Sequence, residues 1–143
     1  MPINVKYRTS AIATGGRNGR TRTLDDTLEL DLSTPKELGG PGGDGTNPEQ
    51  LFAAGYSACF LSALKFAAQQ SNTPVPNSAS VTATVGVGMR EKGGFGFEVD
   101  LAVALPGVSK GDSQRLVEAA HQACPYSNAT RNNIDVNVAV VQA

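Results

Sequence analysis

Residues 39–68 read GGPGGDGTNPEQLFAAGYSACFLSALKFAA, a glycine-rich loop running into a long apolar helix with Cys59 near its middle. The start of that helix is well marked. Asn47 is placed to cap it, Pro48 takes the first helical position, and Gln50 stands three residues after the cap, the spacing of a capping box. From Leu51 to Ala68 the apolar residues are not confined to one stripe. Leu51, Phe52, Ala54, Tyr56, Phe60, Leu61, Leu64 and Phe66 cover most of the circumference, which predicts a helix buried on nearly all sides. Ala53, Ala54, Gly55, Ser57 and Ala58 are small and admit another backbone at close range. A free thiol in such surroundings ordinarily behaves as a small hydrophobe, so Cys59 needs other residues before it reads as chemistry.

Working outward, the loop ahead of the helix holds five glycines between Gly39 and Gly45. A phosphate-binding loop would need a GK[ST] ending, which is missing, so a tight turn that brings backbone close to the helix start is the better reading. Ser33, Thr34 and Pro35 start a short helical turn before it. Upstream, Ile3–Thr14 is rich in β-branched residues and reads as a strand; Gly15–Gly19 holds the turn signal Asn-Gly; Arg20–Leu24 is extended; Asp25 and Asp26 turn; Thr27–Leu32 alternates. Downstream, Ser71–Ser78 is a loop with two prolines. Ser80–Met89 and Phe95–Leu105 form a hairpin about a turn at Glu91–Gly94, with one apolar and one mixed face. Asp112 is placed to cap a second helix that Pro125 stops after Cys124, Tyr126–Asn133 is a polar connection, and Ile134–Val141 is a final strand. Three strands, helix, two strands, helix, strand is an α+β order with antiparallel sheet.

The chain has 143 residues, enough for one domain, residues 1–143, with a real core. A net charge of −1 without like-charge blocks suggests neither nucleic acid nor an anionic membrane as partner. MPINVKYRTS has no apolar signal region, and Ser57, Ser62 and Lys65 interrupt the apolar helix, so neither a signal peptide nor a membrane span is expected and the protein is placed in the cytosol. Two cysteines there argue for redox or catalytic use over a structural disulfide, and with one histidine and no C-x-x-C they are too few for a zinc site.

The candidate constellation is Cys59, Cys124, Arg17 and Glu49. Cys124 closes its helix, where backbone carbonyls disfavour a thiolate. Cys59 lies too deep in its own helix for help from the N-terminal end, so a cation must supply it. Arg17, in its glycine-flanked hairpin, could do so while Glu49 holds the guanidinium in a bidentate pair. Ionising a thiol of pKa about 8.5 near neutral pH gains only roughly ten- to thirty-fold. A cation that also stabilises a leaving oxygen contributes more, which favours a peroxide O–O bond as substrate, with sulfenic acid formed at Cys59 and Cys124 as the second thiol. Phe60, Phe95 and Phe97 are candidates to border an apolar substrate pocket. Two other readings stay open: Arg17 and Glu49 as ordinary turn and first-turn residues, and His121, three residues before Cys124, as partner in a Cys–His nucleophile.

The stretches TGGRNGR, STPKELGG, GGDGTNPEQLFAAGYSACF, ALKF, GGFGFEVDL, VEAAHQACPYSNATR and NIDV resemble the organic hydroperoxide resistance (Ohr) branch of the OsmC/Ohr family over nearly the whole chain. The resemblance implies a thiol peroxidase acting on alkyl and lipid hydroperoxides and drawing electrons from dihydrolipoyl groups of lipoylated proteins. It implies no metal, flavin or haem. It puts the peroxidatic cysteine on Cys59, the resolving cysteine on Cys124, and the family's arginine and glutamate on Arg17 and Glu49. The implied fold is an intertwined homodimer with two central helices packed between antiparallel sheets. The rival from another class is a non-enzymatic binder of oxidised lipids. Glu49 and Cys59 lie ten residues apart, about 15 Å along one helix. Either that helix breaks, at Gly55, or Glu49 and Arg17 reach the thiols of a partner chain.

Overall fold

The computed structural model describes residues 2–141. The chain forms two compact units, Met1–Leu51 and Phe52–Ala143, and the long helix starts in the first and runs on into the second.

In the first unit β1 (Ala11–Thr14), β2 (Arg20–Thr23) and β3 (Glu29–Asp31) form an antiparallel meander in that order. The predicted strand Ile3–Thr14 is shorter than its β-propensity suggests. It begins only at Ala11, because residues 2–10 find no neighbour strand among the described residues, and Ile3 and Tyr7 stay 79% and 77% exposed. A 3-10 turn, Gly16–Asn18, links β1 to β2. Gly15 and Gly16 have positive φ (74° and 61°), and a Cβ on Gly19 would lie 1.7 Å from the Thr14 carbonyl oxygen. Glycine is therefore obligatory around Arg17. The short helical turn expected to start at Ser33–Pro35 is a 3-10 turn, Lys36–Leu38, with Pro35 at its N-cap position. The loop that follows closes on its own chain: Gly40 N–H donates to Pro35 O, Gly42 N–H to Thr34 O and Gly45 N–H to Ser33 Oγ. These N–H groups are spent on the turn, as its glycine content predicts.

The long helix is α1 (Pro48–Gln70). Asn47 Oδ1 accepts from Gln50 N–H at 2.8 Å, but the reciprocal half of the capping box is missing: Gln50 Oε1 accepts from Thr46 Oγ1 at 2.6 Å instead. By length and composition α1 could cross a membrane, with 23 residues and a mean hydropathy of 1.4 over an 18-residue window, so the expectation that no stretch reaches span length does not hold. In this fold it is a core helix. Tyr56, Phe60, Leu64 and Ala68, each four residues apart, are its buried stripe. The predicted burial on nearly all sides is not met within one chain: Ala54, Ala58, Ser62, Lys65 and Phe66 are exposed on another face.

In the second unit β4 (Ser80–Met89) and β5 (Phe95–Ala104) pair antiparallel, and β6 (Val136–Val141) pairs parallel with β5. The sheet is mixed where an antiparallel one was expected. The reason lies in the connection. Two helices, α2 (Lys110–Ala123) and α3 (Pro125–Thr130), carry the chain back before β6 starts, and a crossover of that length returns a strand in the same direction. The register lines up apolar rows across all three strands: Val85–Val99–Val136, Ala83–Leu101–Val138 and Val81–Val103–Val140. The α1 stripe, the β5 residues Val99, Leu101 and Val103, and Leu116, Val117, Ala120 and Cys124 of the α2 side make one core. Each large side chain fully buried there contributes about 1.5–3 kcal/mol.

Two local expectations are corrected. The α2 cap is Ser109, whose Oγ accepts from Asp112 N–H at 3.2 Å, and not Asp112, which sits in the first turn and pairs with Arg115. Pro125 ends α2 but also begins α3 as its first residue, so Tyr126–Asn133 is largely helix and not a plain connection.

Candidate active site

Arg17 and Glu49 form the bidentate pair that their chemistry suggested. Arg17 Nη1 donates to Glu49 Oε2 at 2.8 Å and Nη2 to Oε1 at 2.6 Å. Glu49 is buried in the first turn of α1, and the Arg17 hydrogen bonds hold its carboxyl below the usual carboxylate range. The same bonds raise the guanidinium further, so both partners stay charged.

Cys59 and Cys124 are both free thiols. Cys59 is half-buried on α1; Cys124 is fully buried at the junction of α2 and α3. The two are neighbours, and Cys124 acts on the Cys59 thiol. Burial pushes the Cys59 thiol up first of all, Cys124 pushes it the same way, and the backbone N–H of Tyr126 pulls it down. That N–H lies in the first turn of α3, where it has no helical acceptor. Tyr126 is the functional neighbour that sequence reasoning missed. Its signal was Pro125, which marks a helix start as well as a stop.

His121 makes no hydrogen bond to a thiol among the described residues. Its Nδ1 and Ser127 Oγ share a hydrogen bond of 2.8 Å, and Arg131 Nη2 donates to its backbone carbonyl. Burial, with help from the Arg131 charge, lowers its pKa. Ser127 Oγ also meets Tyr56 OH at 2.8 Å, and Tyr56 OH meets Thr130 Oγ1 at 3.2 Å. The Cys–His nucleophile is thus replaced by a buried polar network in which His121 is tied to Ser127.

Beside this cluster lies a largely apolar cavity of about 440 Å³, lined by Phe52, Phe97, Pro125, Tyr126, Ala129 and Ile134 among others. Of the three expected pocket residues only Phe97 lines it. Phe60 is fully buried on the core stripe, and Phe95 is 71% exposed and borders a more polar groove with Arg90 and Asp135. Phe52, missed in the sequence, stacks between Phe97 and Tyr126 at centroid distances of 5.2 and 5.7 Å. Among the described residues no three His, Cys, Asp or Glu side chains gather to hold a metal ion.

The α+β fold of this chain is shared by solved structures. Residues 40–139 match the family described as OsmC-like protein. The organic hydroperoxide resistance protein of Xanthomonas axonopodis pv. citri is 56% identical over 137 residues, covering 96% of each chain. The crystal structure of an organic hydroperoxide resistance protein from Elizabethkingia anophelis superposes with a TM-score of 0.93 at 48% identity, covering 99% of this chain and 100% of that one. That of OhrB from Bacillus subtilis gives 0.87 at 39%, covering 94% and 98%. The chain belongs to the OsmC/Ohr family, in its organic hydroperoxide resistance branch.

Proposed function

We propose that the protein is a cysteine-based peroxidase that reduces alkyl and lipid hydroperoxides to alcohols. The observation that carries this is the pair of free, neighbouring thiols, one half-buried and one fully buried, beside a largely apolar cavity. The Cys59 thiolate attacks the terminal peroxide oxygen. The O–O bond breaks, the alkoxide takes a proton and leaves as alcohol, and Cys59 becomes a sulfenic acid. Cys124 then attacks the sulfenic sulfur, releasing water and forming the Cys59–Cys124 disulfide. A dihydrolipoyl-type dithiol, itself oxidised to a cyclic disulfide, restores both thiols. The names of the relatives point to the same substrate class.

The active form is an intertwined homodimer in the cytosol, with Cys59 and Cys124 of one subunit facing Arg17 and Glu49 of the other. Three features support it. Helix α1 is continuous through Gly55, so Glu49 and Cys59 of one chain stand about 15 Å apart along it. The exposed face at Ala54, Ala58 and Phe66 suits a second copy. The alternating Ile3, Val5 and Tyr7 are an exposed, unpaired edge for a partner sheet. In the dimer the partner's guanidinium lowers the Cys59 thiol, against the upward push of burial, and stabilises the leaving alkoxide.

Two measurements test this reading. Steady-state turnover with dihydrolipoamide should favour tert-butyl hydroperoxide over hydrogen peroxide, because the cavity rewards each buried methylene with about 0.8 kcal/mol. Cys59→Ser should abolish consumption, while Cys124→Ser should complete one stoichiometric turnover and leave a trappable sulfenic acid. The cavity equally suits a non-enzymatic binder of oxidised lipids. No peroxide loss beyond one equivalent in the presence of the dithiol would favour that binder and defeat the peroxidase.

A further inference from the structure

Gly55 sits in the middle of a 23-residue helix, where glycine weakens the helix relative to alanine. Its reason lies in the packing. A Cβ there would meet Tyr126 Oη at 2.2 Å and Cζ at 2.9 Å. The missing side chain is what lets the Tyr126 ring lie down on α1, 5.3 Å from the Tyr56 ring and 5.7 Å from that of Phe52. The next residue, Ser127, is fully buried, and its hydroxyl is bonded on one side to Tyr56 of α1 and on the other to His121 of α2, each at 2.8 Å. Two adjacent residues of α3 are thus fastened to α1 within one turn of Cys59, and Cys124 is only two residues before the first of them. The Tyr126 ring also lines the apolar cavity, but neither Gly55 nor the Ser127 hydroxyl takes part in the chemistry proposed above.

We propose that Gly55 and Ser127 are positioning residues: together they seat the Cys124–Ser127 segment on α1 and so set the approach of the Cys124 thiol to Cys59 for the step that closes the disulfide. The inference rests on the peroxidase reading for its place in a reaction, but the seating itself does not. In that step the Cys124 thiolate attacks the sulfenic sulfur in line with the S–O bond, and hydroxide leaves to become water. The attack needs a held geometry. If the segment is loose, the sulfenic acid survives long enough to meet a second hydroperoxide and is carried to sulfinic acid.

The test follows both steps in the full-length protein, by acid quench, thiol blocking and mass spectrometry after mixing with tert-butyl hydroperoxide. Gly55→Ala and Ser127→Ala should form the sulfenic acid at close to the wild-type rate. They should close the disulfide more slowly by roughly ten- to a hundred-fold, the penalty of lost near-attack geometry, and accumulate Cys59 sulfinic acid. Ser127→Thr keeps the hydroxyl and should close far faster than Ser127→Ala. Adding Tyr126→Phe to Gly55→Ala removes the Oη that the new Cβ meets and should restore part of the closing rate, which general destabilisation would not do. The same variants are oxidised with diamide, which closes the thiol pair without peroxide. Slow diamide closure in a protein that does not turn over hydroperoxide would retire the peroxidase reading and leave the seating intact. Wild-type closing rates in both Gly55→Ala and Ser127→Ala, or equal slowing of the two steps without rescue, would overturn it. Should Ser127→Ala fail to fold, the Gly55→Ala pair with and without Tyr126→Phe decides alone.

Discussion

Arg17 and Glu49 show how much a single pair of residues can carry. The glycines on either side of Arg17 present it from a 3-10 turn, and the first turn of α1 presents Glu49. The two-point contact at 2.6 and 2.8 Å fixes the guanidinium plane as well as its charge. The pair also makes a prediction about acid. The folded-state pKa of Glu49 is depressed, chiefly by its hydrogen bonds to Arg17, from an ordinary value of 4.5. Its contribution to stability is therefore complete above that ordinary value and is lost as pH falls through the lower folded one. Urea midpoints of wild type and Glu49→Gln should differ most near neutral pH and converge as the pH falls below the ordinary carboxylate range. A gap that widens in acid would mean that the carboxylate is not the stabilising form. Cysteine tells the opposite story. The environment within its own chain raises the Cys59 thiol, and the helper found there, the Tyr126 N–H, comes from the six-residue helix α3.

At the scale of elements, the long amphipathic runs were legible and the short ones were not. Helix α1 and the β4–β5 hairpin announced themselves through caps, alternation and turn glycines spread over ten residues or more. Helix α3 has six residues, too few for a period to show. The Ser109 cap is obscured for the same kind of reason. Ser-x-x-Asp at 109–112 is a cap followed by a first-turn acid, and either residue type can cap a helix. The distinction is measurable. Ser109→Ala should lose about 1 kcal/mol, a fall in Tm of roughly 3 °C for a protein of this size. Asp112→Ala forfeits mainly an exposed pair with Arg115 and should shift Tm by less. Calorimetry of the two variants that reversed this order would return the cap to Asp112. The direction of β6 was out of reach of any local pattern, since Val136–Val141 alternates identically whichever way it runs. Only the length and course of the α2–α3 crossover decide it.

For the whole molecule, the decisive quantity is a distance along one helix. Ten residues of unbroken α1 separate Glu49 from Cys59, and the proposed site is complete only if two chains supply it. Neither Cys59→Ser nor Glu49→Ala should be fully active alone. In a mixed dimer of the two, one site receives both lesions and the other receives none, so co-refolding should restore activity well above that of either parent. Mixed dimers shown to be present by mass spectrometry, with activity no higher than that of the separate variants, would rule out the shared site.

The amino-acid sequence by itself determined the secondary elements with strong periodicity, the glycine turn that presents Arg17, and the identity of the two thiols and the ion pair. The elements and the turn depend on residue type and spacing within a short span of chain, whereas the thiols and the ion pair, up to 65 residues apart, were legible through the long motifs that surround them. Tertiary structure alone decided that β6 runs parallel to β5, that His121 is tied to Ser127 while the Tyr126 backbone meets Cys59, and that Phe52 and Phe97 rather than Phe60 and Phe95 line the cavity. These depend on which of several similar apolar or polar side chains ends up facing which neighbour. The free-energy differences among the alternatives come from packing between segments distant in sequence, and no local pattern encodes them.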